Sequence, residues 1–216
     1  ARELLERRDS AGRGAAEREV TILFSDLSSY STICEHLPPV QLLDMLNQYL
    51  GAMNVLIDAH HGCVIEFLGD AILAVFGAPY YREDHPQQAL RCALAMRERL
   101  VQLNGEWQNN GLAQCWTQSG IAELKARIGV HTGRVVAGSL GGETRMKYAV
   151  IGDAVNVASR LETLNKELGT DLLISAEVYR RLPPDLADSM RERGAFRVKG
   201  REQEVRVYAP APVCVH

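Results

Sequence analysis

Compact apolar runs alternate with longer stretches of spaced apolar positions along this chain. Val20-Thr-Ile-Leu-Phe24 is a β-branched and aromatic run that reads as a buried strand, and it stops at Ser25-Asp26-Leu27-Ser28-Ser29. Leu42, Leu43, Leu46, Tyr49, Leu50, Met53, Leu56 and Ile57 then recur at helical spacing, after Pro38-Pro39 and before Gly62. Residues 63–68 and 71–76 are two strand-like runs joined by Gly69-Asp70, a two-residue link that signals a hairpin. A second helix carries Ala89, Leu90, Ala93, Leu94, Leu100 and Val101, and residues 109–120 read as an irregular crossing.

The second half continues in the same style. Residues 124–130 predict a strand, followed by His131-Thr-Gly133, a short strand over 135–137 and a glycine-rich turn over 138–142. Tyr148 to Ile151 predicts a strand ending at Gly152-Asp153, and Val155, Ala158, Leu161 and Leu164 predict the helix after it. A strand at 172–174, a short helix at 177–182 and a closing hairpin from 196–198 and 205–208 complete the pattern. The Gly69-Asp70 hairpin forces an antiparallel pair. An α+β sandwich, with helices covering one sheet face, is therefore expected over a purely parallel α/β sheet.

Composition narrows the picture. At 216 residues and 46% hydrophobic, the chain has enough apolar material for a sizeable core and too much for a disordered segment. Lys and Arg number 24 against 27 Asp and Glu, a formal charge of -3, which argues against an electrostatic nucleic-acid binder. No apolar run approaches the ~18 residues of a membrane span. The five cysteines are odd in number and contain no CxxC pair, so a disulfide scaffold or zinc site is not expected and a reducing, cytoplasmic setting is. Residues 1–18 are polar and read as a linker or the end of an upstream signalling helix, 19–209 as one domain and 210–216 as a tail. From the start at Ala1, with neither Met nor a signal peptide, a piece of something longer is expected.

The candidate chemistry lies at strand ends. Asp26 follows an apolar strand and Asp70 sits in a tight turn. Read singly, each is a turn former. Were the two strands neighbours, both carboxylates would emerge at the same sheet end as hard oxygen ligands suited to Mg²⁺. Asn156 and Arg160 are four apart on a helix, hence on one face: a solvated polar stripe, or a grip on ribose and phosphate. Lys199 and Arg201 flank Gly200 in a tight turn that is either a solvated hairpin tip or a polyphosphate clamp.

Residues 22–27 (ILFSDL), 67–71 (FLGDA), 129–133 (GVHTG) and 151–160 (IGDAVNVASR) together resemble the catalytic domain of the class III nucleotide cyclases, the adenylyl and guanylyl cyclases. The likeness covers about residues 19–208, and the four motifs stand in the family's order. The resemblance implies a ferredoxin-like βαββαβ core with helices packed on an antiparallel-containing sheet, and active sites at a head-to-tail homodimer interface. It implies that Asp26 and Asp70, helped by the Leu27 carbonyl, hold two Mg²⁺ or Mn²⁺ ions. Asn156 and Arg160 of the partner chain would position the ribose and stabilise the transition state. Lys199 of the partner, with Arg201 as helper, would contact the terminal phosphates. An N-terminal regulatory or sensor domain is expected in the full-length protein.

The resemblance also identifies Glu66, three residues before Gly69, as a base-reading position that is typically Lys in adenylyl cyclases and Glu in guanylyl cyclases. An ionised carboxylate only accepts hydrogen bonds, so it suits the N1–H and N2–H₂ donors of guanine and opposes the N1 lone pair of adenine. The second base-reading position is Ala149, where adenylyl cyclases usually carry Asp or Thr and vertebrate-type guanylyl cyclases Cys. Ala149 neither accepts from adenine N6 nor donates to guanine O6, so a contact to O6 would need backbone or water. The balance favours GTP as substrate. The alternatives are an adenylyl cyclase with an atypical pocket and a nucleotide-binding module without turnover. A diguanylate cyclase is disfavoured, because residues 68–72 (LGDAI) do not meet that family's Gly-Gly-(Asp/Glu)-Glu-Phe signature.

Overall fold

The computed structural model describes residues 15–142, 145–197 and 204–211. Strand β1 (Ala16–Leu27) leads through helices α1 (Tyr30–His36) and α2 (Pro39–Ala59) to the hairpin of β2 (Gly62–Leu68) and β3 (Ala71–Phe76). Helix α3 (His85–Asn109) and the short α4 (Gln114–Thr117) follow, then β4 (Ala126–Gly142) and β5 (Arg145–Ile151). Helix α5 (Asp153–Leu168), β6 (Leu172–Ser175), α6 (Ala176–Tyr179), α7 (Pro184–Asp188), β7 (Met190–Arg197) and β8 (Glu204–Pro210) complete the order. The sheet runs β2-β3-β1-β4-β6-β8-β7, with β5 paired to β4 beyond the end of β6. Its first four strands and the connecting helices form the expected βαββαβ core, antiparallel throughout, and β4 and β6 are parallel.

Alternation along β1 sends successive side chains to opposite faces. Leu23 and Leu27 join Ile72, Ala74 and Phe76 of β3 in a core against α2 and α3. Helix α2 meets it with Met45, Tyr49, Met53 and Ile57, one residue per turn at four-residue spacing. Val20 and Ile22 pack with Leu73 and Val75 against Ala154 and Ala158 of α5 on the other side. Helices therefore cover both faces of the central strands, where the apolar pattern alone predicts one covered face. This explains why all six residues of β3 are buried.

Two boundaries of the central strands differ from the sequence reading, and β7 begins at Met190, six residues before the expected start. Strand β1 begins at Ala16, inside the stretch assigned to a linker, because Ala16, Glu17 and Arg18 pair with Ala137, Val136 and Val135 of β4. Backbone pairing tolerates polar side chains that point to water. Strand β4 runs unbroken to Gly142, so neither His131-Thr-Gly133 nor 138–142 interrupts it. Pairing to β1 and then to β5 holds those residues extended. The buried polar side chains within it are satisfied: His131 Nδ1 lies 2.8 Å from Ser175 Oγ, and Thr132 Oγ1 lies 2.7 Å from Thr21 Oγ1. Helices α1, α4 and α7 are short elements that the apolar spacing did not signal. No helix among the described residues is long and apolar enough to cross a membrane, and Cys34, Cys63, Cys92 and Cys115 form no disulfides.

Candidate functional site

The register of β1 and β3 sets Ser25 against Ile72, which brings Asp26 and Leu27 beside the β2–β3 turn that holds Asp70. Gly69 makes that turn with φ +69, a left-handed conformation that suits glycine. The Leu27 N–H donates to Asp70 Oδ2 at 3.1 Å and locks the turn to the end of β1. The two carboxylates thus converge at one sheet end. Burial, reinforced by a hydrogen bond and the charge of Asp26, pushes the Asp70 carboxyl up to about 7, against the pull of backbone N–H groups. Two carboxylates held this close, with one retaining a proton near neutrality, form a site that a divalent cation would relieve. The donor set is hard oxygen, and among the described residues no group of three or more His, Cys, Asp or Glu could hold a metal. It therefore suits an ion that keeps water and substrate phosphates as its other ligands, and Mg²⁺ or Mn²⁺ fits these residues.

A third group stands behind this pair. Arg127 lies directly opposite Asp26 in the β1–β4 register. Its Nη2 donates to Asp26 Oδ2 at 3.0 Å and its Nε to Glu162 Oε1 of α5 at 2.7 Å. Glu162 is buried and also accepts from Thr163 Oγ1 at 3.1 Å. A chain of charge-assisted hydrogen bonds therefore runs from the carboxylate cleft to helix α5.

Helix α5 sits against the sheet through Ala154, Val157, Ala158 and Leu161. Its approach is closest at Gly129 of β4, where an added Cβ would stand 2.2 Å from the Ala158 carbonyl oxygen and 2.4 Å from the Glu162 nitrogen. Asn156 is exposed on this helix and Arg160 half-buried, with Arg160 Nη1 buried and lacking a hydrogen-bond partner. One chain thus brings Asp26, Leu27 and Asp70 together, and among the described residues no hydrogen bond or ion pair joins Asn156 or Arg160 to them.

Glu66 lies on β2 and Ala149 is buried on β5, paired with Gly138. Lys147, two residues before Ala149 on β5, donates from Nζ to Glu66 Oε1 at 3.1 Å and Oε2 at 3.3 Å. A groove of about 930 Å³ opens along β2 with Glu66 and Phe67 in its wall, joined by Tyr80 and Arg82 of the loop after β3. Asp26 and Asp70 do not line it. Lys199 and Arg201 lie outside the described residues.

Sequence reasoning missed Arg127, Glu162 and Lys147. Only Lys147 left a usable signal, because it precedes Ala149 by two residues and so shares its strand face.

The family model for the adenylate and guanylate cyclase catalytic domain matches residues 14–209. Adenylate cyclase 1 of Rhizobium meliloti is 38% identical over 197 residues, covering 91% of this chain and 28% of that protein. An adenylate cyclase of Anabaena cylindrica is 34% identical over 195 residues, covering 90% of this chain and 37% of that protein. The chain thus spans about a third of the length of these relatives. The crystal structure of the adenylyl cyclase CyaB from P. aeruginosa superposes with a TM-score of 0.77 at 30% identity, covering 92% of this chain and 96% of that one. That of the guanylyl cyclase Cya2 gives 0.77 at 33% identity, covering 92% and 94%.

Proposed function

Because the chain belongs to the adenylate and guanylate cyclase catalytic domain family, we propose that it converts GTP to 3′,5′-cyclic GMP and pyrophosphate. The sites are two equivalent clefts shared across a head-to-tail homodimer. The observation that carries the reading is the convergence of Asp26 and Asp70, with the Asp70 carboxyl pushed up to about 7 by burial and by Asp26 beside it. Asp26, Asp70 and the Leu27 carbonyl would hold two divalent ions, which would supply Lewis-acid activation of the ribose 3′-hydroxyl and neutralisation of charge on the departing phosphates.

The partner chain supplies the remaining contacts, Asn156 and Arg160 among them from its α5. Asn156 orients the ribose, so that the hydroxyl and the α-phosphorus of one nucleotide are held as a reactive pair. Arg160 offsets negative charge growing on the phosphoryl oxygens. Lys199, with Arg201 as helper, is assigned to the terminal phosphates. No side-chain base is required. Assembly is supported by apolar side chains exposed beside these elements: Phe67 and Leu68 on β2, Leu140 on β4, Met146 and Ile151 on β5.

Guanine is read by Glu66, whose two acceptor oxygens match N1–H and N2–H₂. A second reading, ATP to cyclic AMP, draws support from the relatives named adenylate cyclases. Equal concentrations of GTP and ATP, supplied with Mn²⁺ or Mg²⁺, decide between them by product. Faster cyclic GMP formation is expected. Faster cyclic AMP formation would install the second reading, and absence of both products would leave a nucleotide-binding module. Glu66→Lys should cut GTP use, and Glu66→Lys with Ala149→Thr should move preference toward ATP. Each mispaired contact is worth ~1–3 kcal/mol, about one to two decades in specificity.

A further inference from the structure

We propose that Tyr49 is a positioning residue for the metal-bearing end of β1: through Ser25, its hydroxyl fixes the strand end from which Asp26 and the Leu27 carbonyl emerge. The inference rests on the metal reading above and extends it to helix α2, which carries no ligand of its own.

Two apolar stripes are each interrupted once here, and the interruptions meet. The core face of α2 presents Met45, Tyr49, Met53 and Ile57, all buried. The core face of β1 presents Leu23, Ser25 and Leu27 over the same stretch, buried likewise. Tyr49 Oη lies 3.4 Å from Ser25 Oγ, and both residues are 0% exposed. Phenylalanine and alanine would fill the two places with no polar atom to satisfy, and removing both partners of a buried pair is close to neutral for stability. A polar pair kept where apolar packing would serve marks a functional constraint.

The location of the pair indicates which constraint. Ser25 is the last β1 residue paired to β3 and directly precedes Asp26. Successive side chains leave a strand on opposite faces, so Ser25 meets α2 while Asp26 meets Arg127, which reaches α5. The strand end is thereby gripped from both faces. Both carboxylates stand near enough to act on the Tyr49 phenol. Burial, with the charges of Asp70 and Asp26, holds its pKa well above the ordinary tyrosine value, against the pull of the Ser25 hydrogen bond. The group therefore stays a neutral hydroxyl that orients the strand and competes for no cation. The contact is long for a hydroxyl pair, so its influence belongs at the low end of what one hydrogen bond contributes.

The experiment reads Mn²⁺ binding directly, from the electron paramagnetic resonance signal of the free ion. It compares the wild-type chain with Tyr49→Phe, Ser25→Ala, the double variant, Met45→Leu and Asp26→Ala. Tyr49→Phe and Ser25→Ala should each weaken Mn²⁺ binding by about two- to fivefold. The double variant should be no weaker than the weaker single one, because both changes remove the same interaction. Met45→Leu, a volume-conserving change on the same helix face, should bind as the wild type does. Tyr49→Phe keeps the ring that fills the core, and its circular dichroism spectrum checks the fold. A pair that only stabilises would lower the melting temperature and leave Mn²⁺ affinity at the wild-type value, which overturns the assignment. Single losses that add in the double variant overturn it too. A wild-type chain that binds Mn²⁺ no better than Asp26→Ala would instead remove the metal reading itself.

Discussion

Gly129→Ala tests whether the seating of α5 on β4 sets both stability and turnover. The Cβ it introduces would stand 2.2 Å from the Ala158 carbonyl oxygen, 2.4 Å from the Glu162 nitrogen and 2.9 Å from Leu161 Cβ. The first two are helix backbone and cannot rotate away. Ordinary contact needs about 3.5 Å, so α5 must retreat by roughly 1 Å. Overpacking of this kind costs about 1–3 kcal/mol, which for a domain of this size lowers the melting temperature by about 2–12 °C. The retreating helix carries Asn156 and Arg160, and a misplacement of about 1 Å costs on the order of a hundredfold in rate. The loss in turnover should therefore exceed what partial unfolding explains at an assay temperature well below the melt. Gly51→Ala is the control, because it lies within α2 and a Cβ there meets nothing within 4 Å. It should stabilise by about 0.5–1 kcal/mol. Circular dichroism melts and cyclase assays on both variants give the readouts. Gly129→Ala that melts with the wild type and turns over at full rate would refute the reasoning.

Asp26→Ala or Asp70→Ala should abolish most metal-dependent turnover while leaving the fold intact, and full activity of either in a chelator would remove the metal assignment. Because the Asp70 carboxyl is held at about 7, its ligand form is lost as pH falls through neutrality. The Mn²⁺ activation constant should be about tenfold weaker at pH 6 than at pH 8, and a flat profile would contradict this. Mixed Asp26→Ala and Arg160→Ala chains should regain activity, up to about half per heterodimer, since one of two shared sites is then intact. Proven subunit exchange without recovery would end the shared-site model. His85 is buried against Thr21, with its Nδ1 2.8 Å from the hydroxyl. Burial, with Arg181 nearby, lowers its pKa from 6.5 to about 4. The folded state therefore disfavours the charged ring, and stability present above 6.5 is lost as pH falls toward 4. The loss is on the order of 3 kcal/mol, and His85→Gln should flatten that part of the melting-temperature profile.

Local signals made the β2–β3 hairpin legible, since Gly69-Asp70 between two apolar runs carries its own turn chemistry. Helix α2 was legible for the same reason, with its spacing written in one contiguous stretch. The neighbourhood of Asp26 and Asp70 was not, because it depends on the pairing of β1 with β3 across the chain. Arg127 was hidden more deeply: its partner Asp26 is 101 residues away, and Lys147 is 81 residues from Glu66. In sequence such charges read as solvated surface. Strand β4 was cut short because His131, Thr132 and its glycines look like breakers. Their real determinants are tertiary. His131 and Thr132 find partners on β6 and β1, while Gly129 and Gly133 clear space for α5.

The hydrogen-bond chain from Asp26 through Arg127 to Glu162 gives α5 two allegiances in the proposed dimer. Its Asn156 and Arg160 serve the partner's cleft, while Glu162 on the same helix is tied to the cleft of its own chain. A cation held beside Asp26 would compete with Arg127 for that carboxylate, and what Arg127 gave up there would pass to Glu162. In that dimer, loading one cleft would change the tension on the helix that completes the other. Linkage makes such an influence mutual. The two halves of the enzyme would then fill cooperatively, with a Hill coefficient for metal activation that departs from unity and returns to it in Glu162→Gln.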